Sequence, residues 1–195
     1  VAGLKYRVVD SARHFVALFG AEQDYAPVGG RLVIPGDFIF RNEQYHVCQI
    51  DSLALQETRA NVLVLPLTIQ GISPDALTRR EVYDTIYYPT HLPFRRGEFY
   101  KICRGTVRKI VFVGRSNGLF SGNDYVFTLS SKTLVYSFGA RENGTKRIPN
   151  FIDSIEKGAF YGDIAFKIIH PNKKLVLEPE SLLERVGCFK YPFGV

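Results

Sequence analysis

What the 195-residue chain lacks narrows its chemistry first. It has no GxGxxG turn, no phosphate-binding loop, no HExxH and no GxSxG. Its four histidines, His14, His46, His91 and His170, are scattered, with no carboxylate or nucleophile at a recurring helical spacing. They read as isolated residues on strands and loops. Cysteine is scarce: Cys48, Cys103 and Cys188 cannot all pair internally, and none belongs to a CxxC or a Cys/His cluster of zinc spacing. All three read as core thiols, small hydrophobes in effect. No apolar run approaches the roughly 20 residues needed to span a bilayer as a helix. These absences leave no catalytic residue, no metal site and no cofactor to nominate, and an enzyme is not expected.

What is present is a strand-rich, repetitive chain. With 46% apolar residues it can remove roughly two thirds to three quarters of its unfolded surface from water, and one domain over residues 1–195 is expected. It opens at Val1 without methionine, as a processed or truncated product would, and a removed signal peptide would fit. Leu4 to Val9 alternates and reads as a strand, Asp10-Ser11 as a turn, and His14 to Phe19 as the returning arm of a hairpin. That hairpin, within residues 1–30, would cap the first repeat.

The organising stretch runs from Asn61 to Cys103. In NVLVLPLTIQGISPDAL an alternating apolar strand stops at Pro66, then Ile69, Ile72 and Ala76-Leu77 follow at three, six, ten and eleven residues. In TIYYPTHLPFRRGEFYKIC, Pro89 stands 23 residues later, with Leu92, Phe99 and Tyr100 at matching offsets. Pro149 repeats the pattern with Ile152, Ile155, Ala159 and Phe160. After Pro35 the same set, Val47, Ile50, Ala54 and Leu55, arrives nine residues late. FIFRNEQYHV therefore reads as an inserted hairpin with Arg41-Asn42-Glu43 at its tip. A last, degenerate copy counts from Glu178 to Cys188-Phe189. Stacked one-strand units of this length build a solenoid. Residues 31–103 and 146–195 carry the repeats, and 104–145 hold inserted strands, with further hairpin strands at 119–138.

The motif IPxxIxxIxxxAF in Ile148–Phe160 resembles the BspA-like leucine-rich repeat of bacterial surface proteins, and Tyr100-x-x-Cys103 resembles that repeat's ending. The resemblance covers most of residues 3 to 189. It implies a β-rich α/β solenoid: a short right-handed coil of four to five turns with a parallel sheet, an N-terminal hairpin cap and inserted hairpins. Pro66, Pro89 and Pro149 would then end parallel strands of one sheet. The resemblance also implies an extracellular or cell-surface location and a non-enzymatic role in binding a protein or glycan, as in adhesion.

Two features point to where a partner binds. With Leu32/Ile34, Leu63/Leu65, Ile86/Tyr88 and Leu175/Leu177 inward, the outward strand residues are Arg31, Val33, Val62, Val64, Thr85, Tyr87, Lys174 and Val176. The competing reading has the inserted hairpins covering Val62 and Val64. The other feature is a basic, aromatic window from Arg79 to Lys109, eight basic residues against three acidic ones in a chain of net charge +6. It also holds Tyr83, Tyr87, Tyr88, Phe94, Phe99 and Tyr100, so a polyanion or nucleic-acid site is the alternative function. A solvated face with core aromatics is the bland account. Arg95 and Arg96, in HLPFRRG, are expected to reach solvent. The candidate partner-binding set is thus Arg31, Thr85, Tyr87, Arg95, Arg96 and Lys174. Asn143-Gly144-Thr145 matches a glycosylation acceptor in a loop, and Asp51, Asp75, Asp153 and Asp163 read as turn residues.

Overall fold

The computed structural model describes residues 3–79, 81–94, 99, 101–102, 107–122, 125–138, 145–156, 159–160, 167–169 and 176–177. The chain falls into two compact units, Val1–Asn117 and Gly118–Val195. The boundary lies inside the stretch expected to hold inserted strands.

The N-terminal unit contains two sheets. β1 (Leu4–Asp10) and β2 (Phe15–Ala21) form the expected antiparallel hairpin. β4 (Asp37–Phe40) and β5 (Glu43–Ile50) form the inserted one. Arg41 (φ 53) and Asn42 (φ 65) make its tip, the positive φ pair that a two-residue hairpin needs to match strand twist. Glu43 already pairs with Phe40. β2 pairs in parallel with β5, and β5 with the two-residue β7 (Gly71–Ile72). The second sheet is parallel throughout, in the order β3 (Arg31–Val33), β6 (Val62–Val64), β8 (Thr85–Pro89), β9 (Ile110–Val113). Val62 faces Thr85 across the ladder, the same spacing as Pro66 to Pro89.

Several units therefore contribute a strand segment to each of two sheets (β3 and β5, β6 and β7), where the sequence suggested one. The periodic residues explain why. Ile34, Leu65 and Tyr88 before the prolines, and Val47, Ile69, Leu92, Ala54-Leu55 and Ala76-Leu77 after them, are all buried. Each large apolar side chain so buried stabilises by about 1.5–3 kcal/mol. The backbone turns repeat as well: Ile69 N–H donates to Pro66 O (3.3 Å), Leu92 to Pro89 (3.2 Å), and Ile152 to Pro149 (3.1 Å). After Pro35 the hairpin intervenes, and Val47 N–H donates to Gly36 O instead.

In the C-terminal unit, β10 (Leu119–Ser121), β11 (Tyr125–Thr128) and β12 (Thr133–Ser137) form an antiparallel meander. β12 then pairs in parallel with β14 (Ser154–Ile155), and β14 with β16 (Val176–Leu177). β13 (Thr145–Arg147) pairs in parallel with β15 (Lys167–Ile169) as a separate two-stranded sheet. This corrects the expectation of one sheet: β6 and β8, ending near Pro66 and Pro89, share a sheet, but the strand before Pro149 does not. Residues between β9 and β13 are taken up by the meander, so β13 finds its parallel neighbour only in the following turn. The offsets inside that copy hold, with Ile148, Ile152, Ile155, Ala159 and Phe160 at most 2% exposed.

The N-terminal hairpin caps the first sheet through β2 pairing with β5. β1 covers β2 at the edge of the first sheet, but β3 remains the edge strand of the second. Tyr6 on β1 packs its ring 4.8 Å from Phe38, and its buried hydroxyl has no hydrogen-bond partner among the described residues. Burial, with a smaller contribution from Tyr25, pushes the Tyr6 phenol up from its ordinary value of 10.0. A phenol with a raised folded pKa contributes stability that is lost as pH rises above its unfolded pKa. Tyr6→Phe should accordingly be neutral or stabilising by up to about 1 kcal/mol at pH 7, since it removes an unsatisfied buried group. Its advantage over the parent should grow in denaturation curves taken above about pH 10; a constant gap across that range would contradict the burial of Tyr6.

Candidate interaction face

The parallel sheet β3–β6–β8–β9 presents one face to the core and one outward. Leu32, Leu63, Ile86 and Ile110 stand in register and are at most 2% exposed. Pleating sends their neighbours the other way. The outward residues form two cross-strand rows, Arg31–Val62–Thr85 and Val33–Val64–Tyr87–Val111. Lys109 precedes Ile110 as Thr85 precedes Ile86, and its carbonyl accepts the Ile86 N–H at 2.9 Å. Val33 is 53% exposed, Arg31 is exposed, and the remaining members are half-buried. β-Branched residues favour this extended backbone, which is why a surface rich in valine forms here.

The sheet brings three of the candidate residues together. Arg31 reaches across β6 to place its guanidinium carbon 5.1 Å from the centroid of the Tyr87 ring, a cation–π contact worth about 0.5–1 kcal/mol at an exposed site. Thr85 lies two residues from Tyr87 on the same face. Arg95, Arg96 and Lys174 lie outside the described residues, as do Cys103 and Cys188. Cys48 is buried, donates to Val16 O at 3.5 Å, and burial pushes its thiol up. The inserted hairpin belongs to the first sheet, where Phe38 packs against Tyr6 and Tyr45 against His14, while Phe40 is exposed.

Among the described residues of the basic, aromatic window, one cation is buried, one is paired at the surface, and three of the aromatics lie in the core. Arg79 is 5% exposed; it donates to Thr58 O (3.3 Å) and Val82 O (2.9 Å) and lies 3.9 Å over the Tyr83 ring. Burial lowers its pKa. Arg108 pairs with Asp84 at 3.0 Å. Tyr83, Tyr88 and Phe99 belong to the core. Residues 80, 95, 96 and 104 lie outside the described set. Nothing in the sequence marked Arg79 as buried, because arginine in a run of charge reads as surface.

Among the described residues no group of three or more His, Cys, Asp or Glu side chains is arranged to hold a metal ion. His46 Nδ1 lies 2.5 Å from Asp37, and His91 Nε2 lies 2.6 Å from Ile69 O. No described helix is long and apolar enough to cross a membrane. Asp51 takes a two-pronged contact from Arg7 (2.7 and 3.1 Å), and Asp153 pairs with Lys132 (3.4 Å). Asp163 lies outside the described residues.

No family model and no curated protein matches the chain. Among solved structures it is similar to a leucine-rich repeat protein from Bacteroides ovatus, with 14% identity over 86% of this chain and a TM-score of 0.49. It is also similar to a leucine-rich repeat protein from Eubacterium ventriosum (11% identity, 91% of this chain, TM-score 0.41). A leucine-rich cell surface protein from Faecalibacterium prausnitzii gives 12% identity over 86% and a TM-score of 0.33. The chain spans 40%, 60% and 71% of the lengths of these three proteins. Two of the three are described as leucine-rich repeat proteins.

Proposed function

We propose that the chain is a non-enzymatic interaction module, a short leucine-rich-repeat coil that binds a protein through the outward face of β3–β6–β8–β9, at the cell surface or after secretion. One observation carries this reading: a four-stranded parallel sheet whose outward side holds half-exposed valines around a stacked Arg31–Tyr87 pair. Parallel sheets are ordinarily covered on both faces, so a partly open one is a surface available to another molecule. The paired strands in two ladders support the coil, and the surface location rests on the motif resemblance. Among the described residues nothing favours polyanion binding: Arg79 is buried and Arg108 is paired with Asp84.

The test is a binding screen of the purified protein against arrays of extracellular proteins, repeated with Val33→Glu and Val64→Glu. Both residues point away from the core, so each variant should keep the parental thermal midpoint yet weaken binding by about tenfold or more, as a charge placed in an apolar contact does. Undiminished binding by both variants would move the site off this face. Robust turnover of a substrate would reject the non-enzymatic reading.

A further inference from the structure

From the chemistry of the same face, and resting on the reading of it as a binding surface, we infer that the ligand is an extended acidic peptide segment lying across the four strands, with carboxylates at either end of a short apolar run. The charge arrangement carries this. Among the described residues, neither Arg31 nor Lys109 takes part in an ion pair, and neither outward row contains an acidic side chain. Two of the acids in the segments leading into these strands are paired elsewhere, Asp84 with Arg108 at 3.0 Å and Asp24 with Arg59 at 2.7 Å, while Glu22, Glu57 and Glu81 stand outside the two outward rows. The face therefore has an uncompensated cation at each end, on β3 and beside β9.

Spacing gives the ligand its length. Three strand intervals place the backbones of Arg31 and Lys109 about 14 Å apart, which four or five extended residues span. Between them lie Val62 and Thr85, flanked by the row Val33, Val64, Tyr87 and Val111, a mainly apolar strip suited to aliphatic side chains. Arg31 is held in place by Tyr87, so its remaining donors can meet a carboxylate in bidentate fashion with little further ordering.

The same details disfavour a glycan. Sugar recognition by stacking needs open aromatic faces, whereas the outward rows hold one aromatic residue, Tyr87, and Arg31 lies against it. The other apolar members are valines.

Panning a random dodecapeptide library against the whole protein tests the inference, followed by fluorescence polarisation with the enriched peptides and their Glu/Asp→Gln/Asn counterparts. Enriched peptides should carry acidic residues flanking three or four apolar ones. Neutralising those acids, or making Arg31→Glu or Lys109→Glu, should weaken binding about tenfold or more. Arg31→Gln should give a smaller loss, and Val64→Glu should abolish binding. Enriched peptides without an acidic excess, but lost on Val64→Glu, would overturn the acidic ligand and leave the face standing. Binding unchanged by Val64→Glu would overturn both. Absence of any enriched peptide, with acidic glycans retained on an array and lost on Val64→Glu, would replace the peptide by a glycan at the same face; absence of both would reject the face itself.

Discussion

Replacing Phe160 with alanine is expected to cost about 3–5 kcal/mol in equilibrium denaturation, among the largest losses any single substitution in the chain should produce. The ring is 1% exposed and belongs to a cluster with Tyr125, Leu134, Ile148, Ile152, Ile155 and Ala159, against which Phe127 also packs. These side chains come from β11, β12, the strand end before Pro149, and the return after it. Truncation thus loses the transfer energy of the ring and leaves a cavity whose walls belong to several elements and cannot all close in. Ile155→Ala should cost less, because a smaller side chain leaves a smaller void. A measured loss under about 1 kcal/mol for Phe160→Ala would mean that the eleventh position after proline does not face the core, and the repeat register would fail with it.

The same register shows how much of the fold was legible beforehand. Burial recurs at fixed offsets after each proline because every turn must present the same inward face to its neighbour. That regularity survives in sequence even where the inserted hairpin delays it by nine residues. The hairpin was readable too, since Arg41-Asn42 is a polar break between alternating strands. The second ladder was not. Gly71–Ile72 and Ser154–Ile155 are only two residues each, too short for a period-2 pattern, and they become strands only by pairing with β5 and with β12 and β16. The separation of β13 from the strands before Pro66 and Pro89 was hidden for a related reason: local offsets report which residues face inward, not which sheet they join. At the candidate face, Arg31, Thr85 and Tyr87 were legible from strand alternation. The Arg31–Tyr87 contact was not, because it crosses an intervening strand between residues far apart in sequence.

Within the basic window, Arg79 departs from the surface position that a run of charge suggests, and this makes a second large prediction. Tyr83→Ala should cost about 3–5 kcal/mol, as aromatic truncations in cores do, since Tyr83 is fully buried and bridges in parallel to Val107. Arg79→Ala should cost about 2–4 kcal/mol, because it deprives the Thr58 and Val82 carbonyls of their guanidinium donors and uncovers the Tyr83 ring. The charge itself is a weaker asset. Burial opposes it, as the lowered pKa of Arg79 shows, and its buried Nε has no hydrogen-bond partner among the described residues. Arg79→Met, which keeps the apolar stem over the ring, should therefore lose less than the alanine variant. The double variant Tyr83→Ala/Arg79→Ala should fall short of the summed single losses by about 1–2 kcal/mol, the coupling expected of a desolvated cation–π pair. Urea denaturation of the four variants and the parent provides the cycle. Additivity to within about 0.5 kcal/mol would show that Arg79 and Tyr83 do not act together. The stacking of Arg79 on the Tyr83 ring would then contribute nothing to stability beyond the two residues' separate burial.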